Sequence, residues 1–276
     1  MIIPRKIPRE KMSQMSDDLI GPNSDGLTIS ESRSVLRIHL NRPEKRNALD
    51  GKMLATLVSA LGDLAPEKRA VVLTASGTVF SAGLDLSERM KDGTPLGHVS
   101  SIEEILDSIS SCPVPVVAAV QGDAIAGGCE LALACDFVVA SNESRFMMPL
   151  AYLGLSTTWS LTQRLIDLGG LTFTRQLLLA GKRYAAAQLA DLGIIASAVD
   201  PQDMVPTVDA LVESLVNAAP LSLKSMKTLI QRGQTGKDQI PHDDLDRIVE
   251  RVRNSRDAHE GVAARLEKRA PVFEGR

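Results

Sequence analysis

Gln121-Gly122-Asp123-Ala124-Ile125-Ala126-Gly127-Gly128-Cys129-Glu130 decides how the chain is read. Consecutive small residues lead out of the apolar run Val114 to Val120 and into Glu130 to Ala134, and Phe137-Val138-Val139-Ala140 follows. The pattern predicts a helix that opens at the glycines and lies between two buried strands. The first N–H groups of such a helix have no intrahelical acceptor and point toward an anion or a developing oxyanion. Close packing of helix on sheet demands glycine equally, so the spacing alone leaves both readings open.

Working outward, a second loop of the same kind, Phe80-Ser81-Ala82-Gly83-Leu84-Asp85-Leu86, follows the short apolar run Ala70 to Thr74. It too admits a ligand-binding reading or that of an ordinary strand-to-helix turn. Before it, Ser34 to Leu40 alternates in the two-residue period of a strand, and Leu54, Leu57, Leu61 and Leu64 recur at helical spacing within Leu49 to Leu64. Ser101-Ile102-Glu103-Glu104 reads as a capping box, with Ile102, Ile105, Leu106 and Ile109 forming one helical face behind it. Beyond about Asp200 the periods are helical throughout, and Ser255 caps a last helix expected to reach Lys268 before Pro271. The fold class is therefore α/β followed by α. The apolar stripes of the helical tail can pack on their own domain or against a neighbouring subunit. The division predicted is a poorly ordered extension over 1–25, a core over 26–203 and a helical region over 204–276.

Composition bounds the function. The chain has 276 residues, 44% of them hydrophobic, and a formal net charge of -3. That length supports one substantial core, and that charge argues against a nucleic-acid footprint. Cys112, Cys129 and Cys135 lack paired metal spacing and read as buried reduced thiols, which suits a cytoplasmic setting. No run approaches the length of a membrane span, and the N-terminus lacks the order of a secretory signal. His39, His98, His242 and His259 show no metal-site spacing, so no metal is expected.

Taken in order, Leu40-Asn41-Arg42-Pro43-Glu44-Lys45-Arg46-Asn47-Ala48-Leu49, the loop Phe80 to Leu86, the stretch Val120 to Cys135 and the ending Glu267-Lys268-Arg269-Ala270-Pro271-Val272-Phe273 resemble motifs of the enoyl-CoA hydratase/isomerase (crotonase) superfamily. The resemblance runs from residue 27 to 276. It implies a spiral of strand-strand-helix repeats and a helical C-terminal region used for trimerisation, often in a dimer of trimers. It also implies an acyl-CoA or enoyl-CoA substrate of the kind met in fatty acid metabolism, with coenzyme A entering as part of the substrate and no separate cofactor. Residue by residue, it makes the backbone N–H groups of Leu84 and Gly127 an oxyanion hole and Glu130 the acid/base group. Arg42, Lys45, Ala48, Ala82, Lys268 and Phe273 are then expected beside the coenzyme A moiety.

One position departs from that pattern. Family hydratases hold a water between two glutamates, and the second belongs where this chain has Pro149-Leu150. Leucine transfers no proton. Three outcomes follow: Tyr152, Ser156 or a threonine substitutes; Glu130 alone shuttles a proton, as an isomerase requires; or the chain is a catalytically silent acyl-CoA binder. The stretch Gly154 to Thr162, with Trp159, is bulkier than the family's and is expected to reshape the acyl pocket. Asp85 and Glu88 read as helix-dipole partners rather than catalysts.

Overall fold

The computed structural model describes residues 26–87, 100–235 and 243–274. The expected extension over 1–25, Glu88, His98 and His242 lie outside them.

Two sheets wind together. The larger takes β1 (Leu27–Glu31), β2 (Val35–Leu40), β3 (Ala70–Ala75), β5 (Val116–Val120), β7 (Phe137–Ser141) and β10 (Ser197–Val199) in the order β1-β2-β3-β5-β7-β10. The smaller takes β4 (Val79–Ser81), β6 (Asp123–Ile125), β8 (Arg145–Met147) and β9 (Tyr184–Ala185). Each turn of the spiral lays one strand on the large sheet and one on the small, then returns through a helix. Thus β3-β4 precede α2 (Ser100–Ser111), β5-β6 precede α3 (Gly127–Ala134), and β7-β8 precede α4 (Trp159–Leu178). The strand-strand-helix repeat is the expected one.

From β2 through β10 every pairing in the large sheet is parallel, so both of its faces need cover. Leu36, Ile38, Leu40, Val71, Leu73, Ala118 and Val120 turn inward onto the main core, where α1 (Gly51–Gly62) contributes Met53, Leu54, Leu57 and Leu61. The alternate residues Val35, Ala70, Val72, Val117 and Val139 turn the other way onto Met204, Val208, Val212 and Leu215 of α6 (Met204–Asn217). Asp50, not Leu49, starts α1, because its carboxylate accepts a hydrogen bond from Met53 N at 2.9 Å. Between β9 and β10 lies the short α5 (Ala186–Asp191).

The helical tail continues with α7 (Pro220–Thr235), α8 (Asp243–Arg253) and α9 (Arg256–Leu266). Ser255 caps α9 as predicted, its hydroxyl accepting from Ala258 N. The helix stops at Leu266, short of the expected Lys268, because Lys268 takes a left-handed φ of 57°. α9 packs on its own chain: a methyl group added to Gly261 would lie 2.2 Å from the Leu153 carbonyl oxygen. α7 instead leaves Leu221, Met226, Leu229 and Ile230 more than half exposed. Cys112, Cys129 and Cys135 are buried free thiols. Among the described residues no helix is long and apolar enough to cross a membrane.

Candidate active site

The two glycine-rich loops meet. A parallel bridge pairs Leu49 with Leu84, using Leu49 N to Gly83 O at 2.8 Å and Asp85 N to Leu49 O at 2.9 Å. That pairing turns the N–H of Leu84 the opposite way. Gly127 is the first residue of α3, where a helix leaves its N–H without an internal acceptor. Among the described residues neither N–H has a hydrogen-bond partner. A methyl group placed on Gly127 would lie 3.4 Å from Leu84 N, and one on Gly83 would lie 2.8 Å from Gly127 N. Two unsatisfied donors therefore sit side by side.

Ala126, just before them, has φ 48° and ψ -121°. Glycine is the residue at home there, so an alanine stores strain of order 1 kcal/mol or more at this turn. Its own N–H is anchored on Met147 O at 2.9 Å.

Asn47 ties the first loop to the sheet and was not singled out from the sequence. Fully buried with φ 51°, its side chain accepts from Arg42 N and donates to Ser76 O and Val79 O, each at 2.8 Å. Its carbonyl accepts from Ser81 Oγ, which in turn accepts from Gly83 N. Asparagine tolerates the left-handed region, which is the signal that could have marked it.

Leu84, Gly127 and Glu130 line one cavity of about 100 Å³. Leu86, Ile102, Leu106, Leu153, Leu155 and Leu161 make most of its wall apolar. Leu150 is in the wall as well, so the position of the missing glutamate faces the site as hydrocarbon. Burial in this setting pushes the Glu130 carboxyl up to about 7, opposed by the positive charge of Arg253 and reinforced by the negative charge of Glu103. Arg253, the last residue of α8, is 9% exposed and donates to Ser156 O at 3.4 Å. Both Glu103 and Arg253 line the cavity, and sequence reasoning assigned neither a role. No spacing rule connects α2, α3 and α8.

Of the residues expected beside coenzyme A, Ala82 lines the cavity. Arg42, Lys45 and Ala48 are outside its lining, in the segment whose Arg46 carbonyl accepts from Ala82 N. Arg42 is held by Asp50 at 2.6 Å, Asp85 at 3.3 Å and the Ala48 carbonyl at 3.0 Å. Lys45 is half exposed and 3.9 Å from Asp85. Asp85 is thus an ion-pair partner, not a cavity acid. Lys268 and Phe273 are exposed and outside the cavity lining, on a tail folded back along α9 through Val272 N to Glu260 and Glu274 N to Asp257.

The suggested substitutes for the second glutamate fare unequally. Tyr152 is 59% exposed and spends its hydroxyl on Ala180 O. Ser156 and two threonines reach the lining: Ser156 donates to Thr157 O, the Thr158 hydroxyl caps α4, and Thr157 Oγ1 is buried without a hydrogen-bond partner. Trp159 is not in the lining. Among the described residues no cluster of three His, Cys, Asp or Glu side chains is placed to hold a metal ion.

A two-layered spiral with paired backbone donors and a carboxyl on one apolar cavity defines a class of site suited to stabilising an enolate. The family model for enoyl-CoA hydratase/isomerase matches residues 30–276. The 2,3-dehydroadipyl-CoA hydratase of Escherichia coli is 32% identical over 91% of this chain and 99% of its own length. A putative enoyl-CoA hydratase of Thermus thermophilus is 36% identical over 88% and 98%. Among solved structures, methylmalonyl-CoA decarboxylase in complex with 2-nitronate-propionyl-CoA superposes with a TM-score of 0.84 at 26% identity, covering 91% of this chain and 99% of that one. An enoyl-CoA hydratase/isomerase from Pseudoalteromonas atlantica gives 0.80 at 32% identity, covering 91% and 100%. The chain belongs to the enoyl-CoA hydratase/isomerase family, within the crotonase superfamily.

Proposed function

We propose that the protein is an enzyme acting on enoyl-CoA thioesters, adding water across the double bond or moving it. The observation that carries this reading is the convergence of Leu84 N, Gly127 N and the Glu130 carboxyl on one cavity. The thioester oxygen accepts from the two N–H groups, which bind it more tightly as enolate charge develops. Donors fixed in a dry site are worth about 3 kcal/mol each at the transition state. Glu130 takes a proton from water, in hydration, or from one carbon, in double-bond migration, and delivers it to another carbon, and a carboxyl at about 7 populates both forms near neutral pH. Arg42, Lys45, Ala48 and Ala82 form the side on which the nucleotide part of the substrate lies, with Lys268 and Phe273 approaching it from the tail. No further cofactor is needed.

The exposed apolar face of α7 supports self-association, as a trimer or a dimer of trimers. A cytoplasmic setting fits the buried thiols. The second reading, a silent acyl-CoA binder, is favoured by one observation, the hydrocarbon of Leu150 in the cavity wall.

The test is turnover and saturation binding of crotonyl-CoA and of longer 2-enoyl and 3-enoyl thioesters by the purified protein. Conversion of any of them supports the enzyme. Tight binding without conversion replaces it by the second reading, and no binding at all refutes both.

A further inference from the structure

We infer that Glu103 is the second carboxylate of the site: projecting from α2 into the cavity shared with Glu130, it holds the water that adds to the substrate. This rests on the enoyl-CoA reading above and selects hydration within it. The family's water is clamped between two carboxyl groups, and Leu150 cannot clamp. Among the described residues that line the cavity, Glu103, Glu130 and Arg253 are the ionisable ones. None of the lining hydroxyls can take a proton from water as a carboxylate can: Ser156 donates to Thr157 O, the Thr158 hydroxyl accepts from Leu161 N, and Thr157 Oγ1 is buried without a hydrogen-bond partner.

Glu103 is half-buried, in the first turn of α2, between the apolar residues Ile102, Ile105 and Leu106 that seat the helix in the core. The helix that carries it packs on the helix that carries Glu130. The two carboxylates sense each other, since the charge of Glu103 raises the Glu130 carboxyl, while Arg253 stands by as the cation that lets both occupy one apolar chamber.

The chemistry balances with one proton carrier. Water donates one hydrogen bond to Glu103 and one to the ionised Glu130. As the water oxygen bonds to the β-carbon, its O–H bond to the second proton breaks and Glu130 takes that proton. The double-bond electrons pass to the α-carbon and the thioester oxygen as enolate. Glu130 then delivers the proton to the α-carbon, leaving the 3-hydroxyacyl thioester and a carboxylate ready for the next water. Glu103 gains and loses nothing; it fixes where the water oxygen stands, and such positioning governs rate by orders of magnitude.

The experiment compares wild type, Glu103→Ala, Glu103→Gln and Glu130→Gln for crotonyl-CoA hydration, with butyryl-CoA binding as the measure of an intact site. Glu103→Ala is expected to lose roughly 100-fold in kcat at unchanged butyryl-CoA affinity, and Glu103→Gln, whose amide oxygen still accepts from water, to recover at least a tenth of wild-type rate. Hydration by Glu103→Ala within about threefold of wild type overturns the inference, as does Glu103→Gln no faster than Glu103→Ala. If those results come with Glu130→Gln inactive, only the role of Glu103 fails. If the wild type moves a double bond but does not hydrate, the role of Glu103 fails and the enzyme reading stands; if it converts no enoyl thioester, or Glu130→Gln hydrates normally, the underlying reading fails with it.

Discussion

Gly128 is the place where one added methyl group should reach the chemistry without touching a reacting atom. A Cβ there would lie 2.3 Å from the Ser81 carbonyl oxygen, 2.7 Å from Ser81 Cβ and 2.8 Å from Ser81 C. Ordinary contact begins at 3.4 Å, so roughly 1 Å of separation must be found between the start of α3 and the end of β4. Neither side can yield locally, because the contacts are mostly backbone and Ser81 is pinned through Asn47 O and Gly83 N. The displacement therefore spreads to Gly127 on one side and to Gly83 and Leu84 on the other. A misplacement of about 1 Å costs on the order of 100-fold in rate. Gly128→Ala is expected to lower kcat on the best enoyl-CoA by that factor, with the far-ultraviolet circular dichroism unchanged. Gly62→Ala, whose methyl group meets nothing within 4 Å, serves as control and is expected to be active. A Gly128→Ala enzyme within threefold of wild type would refute the claim that the two loops jointly set the donors.

Other consequences follow from the same geometry. Folding raises the Glu130 carboxyl to about 7, so its contribution to stability is complete below the ordinary carboxylate range and is lost as pH rises through about 7. Glu130→Gln, neutral throughout, should gain in Tm relative to wild type between pH 5 and pH 8; a constant difference would contradict the shift. Because Glu130 acts as a base, kcat/KM of wild type should fall as pH drops below about 7. Arg253→Leu removes the cation that opposes that shift, so this acid limb should move to higher pH, whereas Arg253→Lys should leave it closer to wild type. Asn47→Ala removes the side-chain partner of Arg42 N and Ser76 O, leaves Val79 O with only the longer 3.4 Å bond from Gln121 Nε2, and places alanine at a left-handed φ. A loss of about 3 kcal/mol or more in urea unfolding is expected, and under about 1 kcal/mol would show the network to be dispensable.

What the sequence discloses depends on how far a signal must reach. The central strands β2, β3, β5 and β7 announce themselves because they are five or six residues long and mostly buried. β6 hides inside the glycine-rich stretch, and β4 and β8 are equally short, since three residues carry no period. α4 is masked for another reason: Gly170 breaks it at φ 75° and ψ 176°. Leu84, Gly127 and Glu130 are legible because they sit in two short local motifs, each before or at a helix start. Glu103 and Arg253 reach the same cavity from α2 and α8, about 27 residues before and well over 100 residues after Glu130, so only the folded chain brings them together. Lys268 and Phe273 match a motif, yet their surroundings are set by how the tail lies on Glu260 and Asp257.

The most direct test of the account is the split between binding and turnover in Glu130→Gln, measured as kcat on crotonyl-CoA beside the dissociation constant of butyryl-CoA. The amide keeps the volume and the hydrogen-bonding oxygen but cannot carry the proton. The account predicts at least a 100-fold fall in kcat with butyryl-CoA affinity within about threefold of wild type. A variant that turns over at the wild-type rate would contradict it.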